Sequence, residues 1–149
     1  MRDIEKEIMN FALKLAQSSS SKNEIPVGCV IADLNGNIIS YAYNSTFKKN
    51  DPTAHAEIIA IRRACKKLRT RKLLNFSLFV TLEPCKMCEA AILQSGIKRV
   101  FFGAYSNYFR IFTEKKKNYS CEDKGYQYYG GIQEEKCSNL IKDFFKNKR

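Results

Sequence analysis

A chain of 149 residues, 44% apolar and 28% charged, has the length and composition of one folded domain able to bury roughly 70% of its unfolded surface, which excludes a disordered chain. The formal net charge of +11 suits a polyanionic partner such as a phosphate backbone; a lysine-rich bias that merely solvates the surface would give the same figure. Charges in Met1–Glu7 occupy the place where a secretory peptide needs an apolar stretch, and no uncharged apolar run nears the ~20 residues that cross a bilayer, so a cytoplasmic protein without a membrane partner is expected.

Ile4, Ile8, Phe11, Ala12 and Leu15 recur at helical spacing until the serines at 18–21 break the pattern. Val27–Ala32 and Ile38–Tyr43 follow as two strand-like runs joined around Asn35-Gly36, the signature of an antiparallel hairpin. Asp51-Pro52 carries a helix-start signal, with a helix expected to about Leu68, an apolar stripe of Ile58, Ile61, Cys65 and Leu68, and Arg62, Arg63, Lys66 and Lys67 facing away. That basic side reads as a solvated face or as a nucleic-acid contact.

Leu78–Leu82 is a nearly continuous apolar run, as in a central strand covered on both faces. A short helix from about Lys86 to Gln94 stops near Gly96, and Val100–Phe102 forms the next buried strand, a strand–helix–strand order that implies a right-handed parallel crossover. Tyr105 to Gly125 has no period and reads as a long surface loop. Cys137, Leu140, Ile141 and Phe144 then mark a closing helix that ends in Lys146, Lys148 and Arg149. No repeat or second composition regime appears, so residues 1–149 read as a single α/β domain.

Of the six cysteines, Cys29, Cys65 and Cys137 lie in apolar-patterned segments and read as small core residues, whereas the close pair Cys85 and Cys88 suits a metal. Three apart at a helix start, the pair projects both sulfurs to one side, where a helix N-terminus and a metal stabilise thiolates. His55 is the only histidine. Together they form a Cys₂His set of the kind that holds catalytic zinc, one Zn2+ per chain, with a fourth position open to water. A closed structural site would need a further ligand, for which Cys29, Cys65 and Cys121 are available. Glu57, two residues beyond His55, is placed to act as general acid and base: zinc lowers the pKa of its water to about 7, and the carboxylate carries the proton to the ring nitrogen and the departing amine. As a plain first-turn carboxylate, Glu57 would merely complement the helix dipole.

His-x-Glu followed by Pro-Cys-x-x-Cys is the motif pair of the zinc nucleobase deaminases. Asp51–Ile58 and Thr81–Cys88 resemble the bacterial tRNA-specific adenosine deaminases, and Glu24–Gly28, Asn44, Arg99–Ala104 and Asp143-Phe144-Phe145 extend the likeness over roughly residues 1–104 and 132–149. The resemblance implies a cytidine-deaminase-like three-layer α/β/α fold with a central mixed sheet of about five strands, a homodimer, and hydrolytic deamination of adenosine to inosine at the wobble position of a tRNA anticodon stem-loop. By position it assigns His55, Cys85 and Cys88 to zinc, Glu57 to the proton shuttle, Asn44 and the backbone of Ala56 to the nucleoside, and Phe144, Phe145, Lys146, Lys148 and Arg149 to RNA. One departure stands out. Ser106, Asn107 and Tyr108 follow Gly103-Ala104 where the family usually carries an Asp and a short small-residue segment. A free-base deaminase acting on guanine or cytosine shares both zinc motifs, and a non-catalytic RNA-binding subunit could keep the zinc for folding; the basic ending argues against the first and Glu57 against the second.

Overall fold

The computed structural model describes residues 2–20, 23–106 and 125–147. Helix α1 (Asp3–Ser20) leads into the hairpin β1 (Gly28–Asp33) and β2 (Ile38–Tyr43), then the short α2 (Thr46–Lys49) and α3 (Ala56–Leu68). Strand β3 (Phe76–Leu82), α4 (Lys86–Ser95), β4 (Arg99–Ala104), β5 (Gln127–Tyr129) and α5 (Glu134–Lys146) complete the order. The sheet runs β2-β1-β3-β4-β5, antiparallel across the first two pairings and parallel across the last two, which is the expected mixed sheet with β3 at its centre.

Side-chain alternation along the strands separates two apolar clusters, one per face. On one face Cys29, Ile31, Leu78, Val80, Val100 and Phe102 meet Ala56, Ile59, Ala60 and Ala64 of α3 and Ile92 of α4. On the other, Val30, Ala32, Phe79 and Phe101 meet Ile8, Met9, Ala12 and Leu13 of α1 and Cys137 of α5. Three layers result, as the resemblance implies. Two glycines set the close approaches. A Cβ at Gly28 would overlap the Ala12 carbonyl and lie 2.9 Å from the Ala16 nitrogen, so α1 crosses β1 almost backbone to backbone; a Cβ at Gly103 would overlap the Cys137 sulfur and lie 2.8 Å from its Cβ, which seats α5 on β4. Among the described residues no helix is long and apolar enough to cross a membrane.

The structure corrects the sequence reading in four places. The third helix does not start at Asp51-Pro52. Asp51 Oδ1 instead accepts the Thr53 N–H at 2.8 Å and its hydroxyl at 2.7 Å, closing a turn, and His55 is the N-cap. The buried side of α3 is Ala56, Ile59, Ala60 and Ala64, not the expected stripe: Ile58, Ile61 and Cys65 are half-buried and Leu68 is exposed. Alanines let the helix settle closely on β1 and β2, where the Ser40 hydroxyl donates to the Ala60 carbonyl at 2.7 Å. Cys65 is accordingly no core residue, whereas Cys29 and Cys137 are. Finally, α2 and the edge strand β5 have no counterpart in the periodicity. Most of the expected 105–125 loop lies outside the described residues, as does Cys121.

Candidate active site

Three chain segments converge at one end of β3. The chain leaves β2 at Asn44, α3 begins at His55, and β3 runs through Glu83 and Pro84 into Cys85, the N-cap of α4. His55 and Cys85 are both N-cap residues whose side chains make no capping hydrogen bond. Each instead turns its donor atom to the other, and the positive ends of two helices meet there, a setting that favours thiolate. His55 Nδ1 lies 3.6 Å from Cys85 Sγ and 3.5 Å from Cys88 Sγ, and the three donor atoms all fall within 4.8 Å of one another.

Those distances test the metal. Zinc binds nitrogen at about 2.0–2.1 Å and sulfur at about 2.3 Å in a tetrahedron, which separates the N and S donors by roughly 3.6 Å. The observed pairs match it. Among the described residues no fourth His, Cys, Asp or Glu joins the group, so the set is an open three-ligand one; Cys29 and Cys65 stay out of it. The Cys85 thiol is pushed down to about 3, first by a hydrogen bond from Cys88, while Cys88 is pushed far up by the same bond and then by burial.

Glu57, 4% exposed, occupies the second position of α3. Burial pushes its carboxyl above the usual range, and a hydrogen bond with Cys88 opposes that shift. Asn44 is buried, and its side-chain oxygen has no hydrogen-bond partner among the described residues, although its N–H donates to the Val27 carbonyl at 3.0 Å. A cleft of about 210 Å³ joins Asn44, His55, Glu57 and Cys85, walled by Ile25, Val27, Leu82, Glu83, Ser106, Ile141 and Phe145. It is smaller than the roughly 300–1,000 Å³ typical of drug-sized ligands and admits one ring system.

The pattern of the cytidine and deoxycytidylate deaminase zinc-binding region matches residues 2–104. The chain belongs to that family. It is 41% identical to the tRNA-specific adenosine deaminase of Haemophilus influenzae over 99% of this chain and 86% of that one. A structure from biochemical and structural studies of A-to-I editing by tRNA:A34 deaminases superposes with a TM-score of 0.74 at 35% identity, over 89% of this chain and 96% of the other. A Bacillus subtilis guanine deaminase is more distant, with a TM-score of 0.63 at 30% identity over 76% and 85% of the two chains.

The expected residues of this zinc-binding deaminase are only partly gathered by the fold. His55, Cys85, Cys88, Glu57 and Asn44 stand together. Ala56 is fully buried beside them, its methyl in the core, so only its backbone could meet a ligand. Phe145 reaches the cleft; Phe144 is half-buried and stands edge-to-face against it at 5.3 Å between centroids. Lys146 ends α5 in solvent, and Lys148 and Arg149 lie outside the described residues. Glu83 and Ser106 are cleft residues that motif reading gives no role, although Glu83 directly precedes the Pro-Cys step.

Proposed function

We propose that this deaminase converts adenosine to inosine at the wobble position of a tRNA anticodon stem-loop. The observation that carries the reading is the meeting, in one base-sized cleft, of an open His-Cys-Cys donor set with a buried carboxyl and an amide oxygen that has no partner among the described residues. Likeness over nearly the full chain to proteins named for that reaction, and the charge of +11, support the RNA substrate. A loop base also avoids the few kcal/mol of unstacking that a duplex would demand.

His55, Cys85 and Cys88 would hold the zinc, which when bound makes water a competent nucleophile near neutral pH. Glu57 takes one proton from the attacking water and delivers it to the purine ring nitrogen, then carries the second, from the hydroxyl now on the ring carbon, to the exocyclic amine, so that the C–O bond is formed, the C–N bond is broken, one water is consumed and one ammonia leaves. Asn44 offers its side-chain oxygen to an N–H or hydroxyl of the nucleoside, with the Ala56 backbone alongside. Phe144, Phe145, Lys146, Lys148 and Arg149 form the RNA-facing end of α5. Residues 1–149 act as one domain, in the cytoplasm, paired with a second copy through the partly exposed stripe of Ile58, Ile61, Cys65 and Leu68.

The deciding experiment incubates zinc-loaded protein separately with an anticodon stem-loop carrying wobble adenosine, with guanine and with cytosine. Inosine in the stem-loop is the expected product. Rapid deamination of a free base with the RNA untouched would replace this reading.

A further inference from the structure

Residues 45–54 form a loop whose neck is closed by the Ser45 N–H donating to the Ala54 carbonyl at 3.0 Å. Its two flanking residues, Asn44 and His55, both line the cleft, so the loop stands at the cleft rim. The loop is tightly held. Glu24, 1% exposed, spends its carboxylate on α2, accepting the Lys48 N–H at 2.8 Å and the Thr46 hydroxyl at 3.3 Å. The Asp51 N–H donates to the Thr46 carbonyl at 3.0 Å, and Asn50, at φ 48°, turns its N–H back to Phe47 at 3.2 Å.

On this mount Phe47 is 71% exposed. Single exposed apolar residues are ordinary, but this ring sits on a rigid platform at the rim of a base-sized cleft. Its neighbours are Thr46, Lys48, Lys49, Asn50 and Asp51, with Lys48 and Lys49 both exposed. An exposed ring followed in the chain by two exposed lysines has the chemistry of single-stranded RNA recognition, in which a base stacks on an aromatic face and its phosphates meet lysines.

We infer that Phe47 is a stacking platform for a nucleotide adjoining the target base, with Lys48 and Lys49 contacting the flanking phosphates. The inference rests on the RNA reading above and names a subsite beyond the reacting base. It is tested with stem-loops carrying 2-aminopurine, whose fluorescence is quenched on stacking, at each nucleotide flanking the target adenosine in turn. Zinc-loaded wild type should quench at one flanking position. Phe47→Ala and Phe47→Leu should abolish that quenching, Phe47→Trp should keep it, and Phe47→Ala should bind about tenfold more weakly. Lys48→Ala and Lys49→Ala should each lower the slope of log affinity against log salt by about 0.7.

Wild-type quenching and affinity in Phe47→Ala, with inosine still formed, would overturn the platform and leave the RNA reading standing. Unchanged RNA binding with an altered molecular mass in solution would assign Phe47 to a protein contact instead. Wild type that neither binds nor deaminates the stem-loop would remove the RNA reading and this inference together. The melting temperature of Phe47→Ala, expected to match wild type for so exposed a ring, confirms that each variant is compared folded.

Discussion

Tyr128 donates its hydroxyl to one oxygen of Glu83, whose other oxygen accepts the Ser106 hydroxyl at 2.8 Å and the Ser106 N–H at 3.1 Å. One carboxylate thus ties β5 and the end of β4 to the turn that carries Cys85. Tyr128→Phe should lower unfolding free energy by about 1.5–3 kcal/mol, the scale of a hydrogen bond to a charged group, and Glu83→Ala should cost more because it also removes both bonds from Ser106. Urea unfolding at fixed zinc measures both. Equal midpoints for wild type and Tyr128→Phe would show that the bond adds nothing.

Tyr126 is 4% exposed, and its hydroxyl has no hydrogen-bond partner among the described residues. Tyr126→Phe removes that unsatisfied group and should stabilise the protein by about 1 kcal/mol. Burial first, then the charges of Glu89 and Glu83, push this phenol above its ordinary range. The folded state therefore keeps a proton that the unfolded chain releases above about pH 10. Stability is complete below that pH and falls as pH rises through it. The fall should be shallower in Tyr126→Phe, a comparison made by denaturant titration between pH 9 and 11.

Glu57→Gln should retain zinc and fold yet lose at least 10²-fold in turnover, since general acid–base catalysis contributes about 10²–10⁴. Cys88→Ala should bind zinc far more weakly, because it removes one of three donors. Metal analysis beside the turnover assay separates the two effects. Near-normal turnover in Glu57→Gln would rule out the shuttle.

Truncation after Asp143 removes Phe145 from the cleft wall together with the basic end. Affinity for the stem-loop should fall, and its salt dependence should flatten as phosphate contacts are lost. A truncated protein that folds and binds as tightly as before across a salt series would contradict the role given to α5.

Ile58→Glu places a charge in the partly exposed apolar stripe of α3, at a residue outside both core clusters. If that stripe joins two copies, sedimentation should show wild type at twice the chain mass and the variant shifted to the monomer. A monomeric wild type would dispose of the pairing.

The parts legible in the sequence were those with a local physical signature. Asn35-Gly36 foretold the hairpin, and Gly36 indeed takes φ 87°. The apolar run at Leu78–Leu82 foretold a strand buried on both faces, and the order of His55, Glu57, Cys85 and Cys88 foretold the donor cluster. What stayed hidden depends on partners distant in the chain. Strand β5 is three residues long, has no alternation to betray it, and exists through its pairing with β4. Asp51-Pro52 is a sound helix-start signal that fails because Thr53 captures the carboxylate and His55 takes the cap. The α3 stripe misled because small alanines, spaced at 56, 60 and 64, make the tighter contact with the sheet than Ile58 and Ile61 would. Glu83 is a lone carboxylate without period, and only the folded chain shows what it holds.

The missing methyl at Gly103 has a reach beyond its own contact. Cys137 bears on that glycine, and Phe145 stands eight residues further along the same helix, about 12 Å down its axis at 1.5 Å per residue. Gly103 is therefore the fulcrum of a lever whose far end forms part of the cleft wall. Even paired with Cys137→Ala, an alanine at 103 would leave two Cβ atoms 2.8 Å apart, so shortening the cysteine to a methyl does not make room for it. The helix would have to pivot, and the cleft would change width without any of its own residues being altered.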